Sequence, residues 1–226
     1  LANSQGVPPP PMAAAAPAAS ETLPGWALRP APAEPVPPRP LTPSRPEAPD
    51  PPVVSPLADD GQARFQRGIH IHRLLQSLPD LPIDQRAAAA ARYLAQPAHV
   101  LEPAQQADIL AETLAVLEHA DFAPIFGPGS RAEVPLTAVL SGRVVSGQVD
   151  RLAVTDSEIF VVDYKSNRPP PRRAGDVETV YLRQLASYRA VLEEIYPEKT
   201  VRCALLWTDG PNLMMIDDAL LRPHSP

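Results

Sequence analysis

Residues 147–165 read GQVDRLAVTDSEIFVVDYK, and the reading of this stretch decides the fold. Apolar, β-branched runs flank Thr155-Asp156-Ser157, a group of turn formers, which predicts two strands joined by a tight turn. Asp150 lies in the first strand; Asp163 and Lys165 lie in the second. Side chains alternate along a strand, so Val161, Asp163 and Lys165 share one face while Val162 and Tyr164 take the other. A carboxylate and an ammonium among buried aliphatics are costly unless they are paired or bind an ion. The pair is therefore either an ordinary ion pair on a solvent-facing strand or part of a chemical site.

On the N-terminal side, RAEVPLTAVL is separated from GRVVSGQVDRLAV only by a turn around Ser141-Gly142, so the three strands form an antiparallel meander. On the C-terminal side come a proline-stiffened loop, NRPPPRRAGDV, and a helix from about 177 to 194. A strand, TVRCALLWT, the turn Asp209-Gly210-Pro211 and a short strand, NLMMID, complete the run. Strand, helix and strand after a meander predict an α/β fold with a mixed central sheet flanked by helices.

Three helices precede the sheet. The first runs to about Ser77 with an N-cap from Asp59-Asp60. In it Phe65, Ile69 and His72 recur at spacings of four and three, placing His72 on or beside an apolar face that Ile71, Leu74, Leu75 and Leu78 widen. Asp84 is the expected cap of the alanine-rich DQRAAAAARYLAQ. Pro103 opens the third helix, with Ile109, Leu110, Leu114 and Leu117 as its expected inner face.

Of the 32 prolines, 18 fall in residues 1–56, which read as a polyproline-leaning linker without a core. Residues 57–226 are then one domain, long enough for a hydrophobic interior. The Leu start and the long lead-in suggest a piece of a larger chain. No run is apolar and long enough for a signal core or a membrane span. Cys203 is the single cysteine, which excludes an internal disulfide, a multi-thiolate zinc site and a four-cysteine iron–sulfur cluster. Net charge is −6. Residues 1–56 hold three arginines against four acids, leaving −5 on the domain, so there is no basic coat for nucleic acid.

The residues that can carry chemistry are Glu133, Asp150, Asp163 and Lys165. Carboxylates converging at a strand pair without thiolates suit a hard cation such as Mg²⁺ or Mn²⁺. Such an ion polarises a phosphoryl oxygen and acidifies a water, and a nearby ammonium can position that water, which is the machinery of phosphodiester hydrolysis. His72 is either a core histidine or a ligand, whereas His70, His99, His119 and His224 are bystanders. Gln184 and Tyr188, four apart on one helix, could bond a phosphate or stack on a base. Alternatively, Tyr181, Leu185, Tyr188 and Leu192 form a buried stripe with Gln184 at its margin. Arg168, Arg172 and Arg173 either meet a nucleic-acid backbone or are solvated.

Taken together, Gly68-Ile-His-Ile-His72, Glu133 in AEVPL, Gly147-Gln-Val-Asp150-Arg151, Val162-Asp163-Tyr164-Lys165-Ser166 and Gln184-Leu-Ala-Ser-Tyr188 resemble the RecB-type branch of the PD-(D/E)xK nucleases. Within it the chain is most similar to the C-terminal nuclease domains of AddA-type helicase–nucleases, through LTPSR, RGIHIHRLLQSLPDLP and GQVDRLAV…VVDYKSNRPPP. AddB-type and many CRISPR-associated relatives carry a cysteine-bound iron–sulfur cluster, which one cysteine cannot build. No GxxxxGK[ST] phosphate loop is present, so a helicase motor would lie upstream.

The resemblance implies His72, Asp150 and Asp163 as metal ligands, with His70 a rival to His72 and the Tyr164 carbonyl completing the shell. It implies Glu133 as a ligand or water-holder and Lys165 as the catalytic lysine. Gln184, Tyr188, Arg151 and Arg168 are the expected DNA contacts. The expected activity is a Mg²⁺- or Mn²⁺-dependent exonuclease acting on single-stranded DNA in recombinational double-strand-break repair. Its implied partners are an AddB-type subunit and the helicase region of the same chain, in the cytoplasm at the nucleoid. A stand-alone RecB-like exo- or endonuclease and a non-catalytic DNA-binding module of the same fold remain the alternatives.

Overall fold

The computed structural model describes Gly25, residues 28–30, Thr42 and residues 61–226, with side chains from Phe65 onward in the last of these. The chain divides into Leu1–Pro37 and Pro38–Pro226, and every helix and strand described lies in the second unit. The expected linker over 1–56 therefore lies almost wholly outside the described residues, as does the expected N-cap at Asp59-Asp60.

Helices α1 (Gly61–Ser77), α2 (Ile83–Leu94) and α3 (Pro103–Leu117) precede strands β1 (Ser130–Leu140), β2 (Arg143–Val154) and β3 (Glu158–Lys165). Helix α4 (Thr179–Ile195), strands β4 (Thr200–Trp207) and β5 (Asn212–Ile216) and the short α5 (Asp218–Leu221) follow. The sheet order is β1-β2-β3-β4-β5. All neighbours are antiparallel except β3 and β4, which run parallel because α4 carries the chain back across the sheet. This is the mixed sheet flanked by helices that the strand pattern predicts.

Strand β3 is apolar on both faces because helices cover both. Val161, Cys203 and Leu205 pack with Leu185 and Leu192 of α4. On the opposite side Val162, Tyr164 and Leu206 pack with Ile71, Leu74 and Leu75 of α1 and Ile109 and Val116 of α3. Each of those fully buried aliphatics stabilises the layer by about 1.5–3 kcal/mol. The face carrying Asp163 and Lys165 is thus a buried one. The solvent-facing alternative is ruled out.

Three local expectations need correction. Phe65 and Ile69, expected on the inner face of α1, are 67% and 44% exposed, and the buried face is Ile71, Leu74, Leu75 and Leu78. In α3 the buried residues are Ile109, Glu112, Thr113 and Val116, with Leu110 and Leu117 only at the margin. The helix is rotated so that a carboxylate faces inward, which an apolar pattern cannot anticipate. Asp84 sits in the first turn of α2, after a Pro82 cap, where it still favours the helix dipole. Among the described residues no helix is long and apolar enough to cross a membrane.

Candidate active site

Register brings the carboxylates together. The β1–β2 ladder pairs Ala132 with Arg151 and Val134 with Val149, so Glu133 stands opposite Asp150 in the row between. The β2–β3 ladder ends at Arg151 paired with Val162, and one further step in that register aligns Asp150 with Asp163. Glu133, Asp150 and Asp163 thereby occupy one cross-strand row, where the regular ladder lapses. Glu133 has φ +53°, a left-handed backbone that interrupts β1 at this row. Where β2 and β3 part, Asp150 takes over the ladder's work: its Oδ2 accepts the Tyr164 backbone N–H at 2.7 Å.

Helix α1 supplies His72, whose Nδ1 lies 3.4 Å from Asp150 Oδ1. Along this helix Gly68 faces the chain leaving β3, where a Cβ would stand 2.7 Å from Ser166 Oγ. Ligand atoms of His72, Glu133 and Asp150 all fall within 4.8 Å of one another. His70, the rival histidine, points into the helical layer, bonded to Tyr93 Oη at 3.1 Å and edge-on to His99.

Asp163 and Lys165 form the adjoining half. The Lys165 Nζ is 2.5 Å from Asp163 Oδ2, donates to Gln184 Oε1 at 3.1 Å and lies 4.0 Å from the centre of the Tyr181 ring. Gln184 Nε2 donates to Tyr188 Oη at 3.1 Å, and Tyr188 Oη donates to the Gln148 carbonyl at 2.7 Å. Gln148 Nε2 in turn donates to the Glu133 carbonyl at 3.2 Å. A continuous polar relay therefore runs from the lysine to the strand bearing Glu133. On α4, Tyr181, Leu185, Tyr188 and Leu192 are the buried stripe, and Gln184 reaches Lys165 from its edge.

The site's charges are strongly coupled. Burial pushes the Asp163 carboxyl up to about 6 even though Lys165 stands beside it. Burial opposes the charge on Lys165, but Asp163 outweighs it and raises the lysine above its usual range. Burial likewise opposes a charged His72, and Asp150 overcomes it by charge and hydrogen bonding, so the imidazole is raised. Asp150 is lowered, because His72 and the Tyr164 amide outweigh the burial that would raise it. Glu133 is raised by burial and by neighbouring Asp150.

The donor set fits a divalent ion of the Mg²⁺ or Mn²⁺ kind: two carboxylates and an imidazole in mutual reach, with no thiolate. Glu133 joins His72 and Asp150 in that cluster. Asp163, implied as a ligand beside those two, is outside it, and its Oδ2 is turned to Lys165. The cavity over these groups has a volume of about 520 Å³, and Thr42 also lines it.

Three expected DNA contacts are engaged elsewhere: Tyr188 is 1% exposed with its hydroxyl on the Gln148 carbonyl, and the two arginines are held by other groups. Arg151 is 2% exposed; its Nη2 donates to the Leu75 carbonyl at 2.7 Å and its Nε to Tyr164 Oη at 3.1 Å, with Phe126 against the guanidinium. It fastens α1 to the sheet. Arg168 is paired with Asp108, Glu112 and Asp209. Gln148 and Glu112 escaped notice in the sequence. Gln148 had one signal, standing two residues before Asp150 and so on the same strand face. Glu112 had only its misfit with the apolar period.

The sequence model of a family described as PD-(D/E)XK nuclease superfamily matches residues 50–215. No curated protein matches. Among solved structures, the chain is similar to one titled "Crystal structure of SSO0001", at 15% identity and a TM-score of 0.32, over 71% of this chain and 82% of that one.

Proposed function

From the premise that the chain belongs to the PD-(D/E)XK nuclease superfamily, we propose that it is a Mg²⁺- or Mn²⁺-dependent DNA exonuclease domain that hydrolyses phosphodiesters of single-stranded DNA. The observation that carries this reading is the mutual reach of His72, Glu133 and Asp150 beside the buried Asp163–Lys165 pair.

His72, Glu133 and Asp150 would hold a divalent ion, which would supply Lewis-acid polarisation of a phosphoryl oxygen and an acidified water. Lys165, kept charged by Asp163, orients the attacking water and balances negative charge developing on the phosphoryl group. Gln184 and Tyr181 hold the ammonium in place, so little of its freedom is left to be lost at the moment of reaction. Tyr188 and Gln148 anchor Gln184 to the strand that carries Asp150. Gln184 lines the cavity together with Lys165 and Tyr181.

The wider role is that of an AddA-type nuclease domain in recombinational repair of double-strand breaks, at the nucleoid in the cytoplasm. A helicase region of the same chain would feed the strand, and an AddB-type subunit would be the partner. Support comes from the order and spacing of GIHIH, AEVPL, GQVDR, VVDYKS and QLASY, and from the single cysteine.

The test is digestion of end-labelled single-stranded DNA by the 226-residue chain with Mg²⁺ or Mn²⁺, beside Asp163→Ala and Lys165→Ala. Loss of mononucleotide release in both variants and on chelation supports the reading. Wild-type rates in either variant would sink it.

A further inference from the structure

Helix α3 turns a carboxylate, Glu112, into the protein; it is 8% exposed. Three partners converge on it. Arg168 Nη2 is 2.5 Å from its Oε2, Arg67 shares that oxygen, and the Thr208 hydroxyl donates to its Oε1. Thr208 is wholly buried and sits one residue past the end of β4.

Two of these partners, Thr208 and Arg67, have a second attachment in common. The Thr208 backbone N–H donates to the carbonyl of Lys165 at 3.0 Å, and Arg67 Nη1 donates to the carbonyl of Ser166 at 3.5 Å. Arg168 belongs to the segment that leaves β3, and its Nε is also 3.2 Å from Asp209 Oδ1. Two consecutive carbonyls at the end of β3 are thus held by groups that also bond Glu112, with Arg67 Nε reaching Asp108 Oδ2 at 3.2 Å as well and the Thr208 hydroxyl 3.4 Å from the Lys165 carbonyl. Helix α4 fixes the ammonium end of Lys165 through Gln184 and Tyr181. Helix α3 fixes its backbone end.

A buried charged cluster is a weak source of stability, since well-packed apolar side chains serve as well; what it can add is a specified geometry. The geometry specified here is that of the Lys165 backbone. We propose that Glu112 is a positioning residue for Lys165, acting through Thr208 and Arg67 to set where the ammonium stands over the cavity. This rests on the nuclease reading, in which Lys165 is catalytic.

The experiment compares the 226-residue chain with Glu112→Gln, Glu112→Asp and Thr208→Val, the last keeping the backbone N–H and removing only the hydroxyl. Digestion of single-stranded DNA with Mg²⁺ should show kcat reduced about tenfold to a hundredfold in Glu112→Gln, with KM within about twofold, because small misplacements of a catalytic group are costly in rate. Glu112→Asp should recover part of that loss, and Thr208→Val should show a smaller reduction of the same kind. Independently of activity, the Lys165 side-chain ¹³Cε resonance, assigned by its absence in Lys165→Arg, should shift in Glu112→Gln and in Thr208→Val. An unmoved resonance in both variants, or wild-type kcat in both beside an inactive Lys165→Arg, would overturn the proposal. A wild-type chain without nuclease activity whose Lys165 resonance still responds to Glu112 would overturn the nuclease reading and leave the positioning intact.

Discussion

Asp150 bonds in two directions at once: Oδ1 lies 3.4 Å from Nδ1 of His72 on α1, and Oδ2 accepts the backbone N–H of Tyr164 on β3 at 2.7 Å. This carboxylate joins helix to strand and, against the burial that opposes charge, raises the pKa of the imidazole, favouring its protonated form. The proton must leave before the nitrogen can act as a ligand.

Binding of Mn²⁺ should therefore release a proton, and its affinity should increase as pH rises through the raised pKa of His72. Titration calorimetry at pH 6.5 in buffers of different ionisation enthalpy measures the release directly. His72→Gln should reduce it, leaving only what the raised carboxyls of Glu133 and Asp163 release. No proton release from the unaltered chain would show that the ion does not displace a proton from His72.

Asp163 gives stability a definite pH sign. Its folded pKa, about 6, is raised above the ordinary carboxylate value, so between roughly pH 4 and 6 the folded state binds more protons than the unfolded one. Stability from this group is present in full at the acid end and is lost as pH rises through about 6. Raised Glu133 and His72 act in the same sense at and above that range. Lowered Asp150 acts oppositely, but only in the acid range at and below the ordinary carboxylate pKa. Urea denaturation without divalent ions should show stability falling from pH 5 to 7.5, with Asp163→Asn flattening the fall. A profile as steep in Asp163→Asn would remove Asp163 as its source.

Removing the Gln184 amide frees the lysine on one side. Gln184→Leu should lower kcat about tenfold or more, within the range expected of misplaced general acid–base groups. Tyr188→Phe should lower it less and cost about 1 kcal/mol of stability, the worth of one hydrogen bond, since its hydroxyl reaches the Gln148 carbonyl. Steady-state kinetics and thermal melts on the same preparations separate the two effects.

Arg151→Met should behave as a core variant rather than a DNA-binding one. It strips partners from the Leu75 carbonyl and Tyr164 hydroxyl inside the protein, an expected loss of about 2–4 kcal/mol. Where the variant is folded, its affinity for single-stranded DNA should equal that of the unaltered chain, as fluorescence anisotropy would report.

Much of this site is legible in the chain. Period-two alternation places Asp163 with Lys165 and sets both against Tyr164, and the helical spacing of Gln184 and Tyr188 puts them on one face. The matched positions separated His72 from His70, a choice the structure makes by turning His70 toward Tyr93 and His99. Phe65 and Ile69 misled because an apolar period identifies an apolar stripe without saying which neighbour, if any, covers it. Arg151 misled because an arginine in a strand reads as surface, and only the packing of α1 shows that a backbone carbonyl and a tyrosine await it.

By itself the sequence determined the local elements and their order, because turn residues, strand alternation and helix periods depend on neighbours a few positions away. That was enough for the strand pair around Asp150 and Asp163, the α4 crossover and the inventory of ionisable groups. The tertiary structure decided which of those groups meet. Register across three strands aligned Glu133 with Asp150, the backbone at Glu133 and the parting of β2 from β3 opened the row, and the packing of α1 brought His72 to it. Rotation of α3 turned Glu112 inward. Such contacts link residues tens of positions apart through packing, and no periodicity within a single segment encodes them.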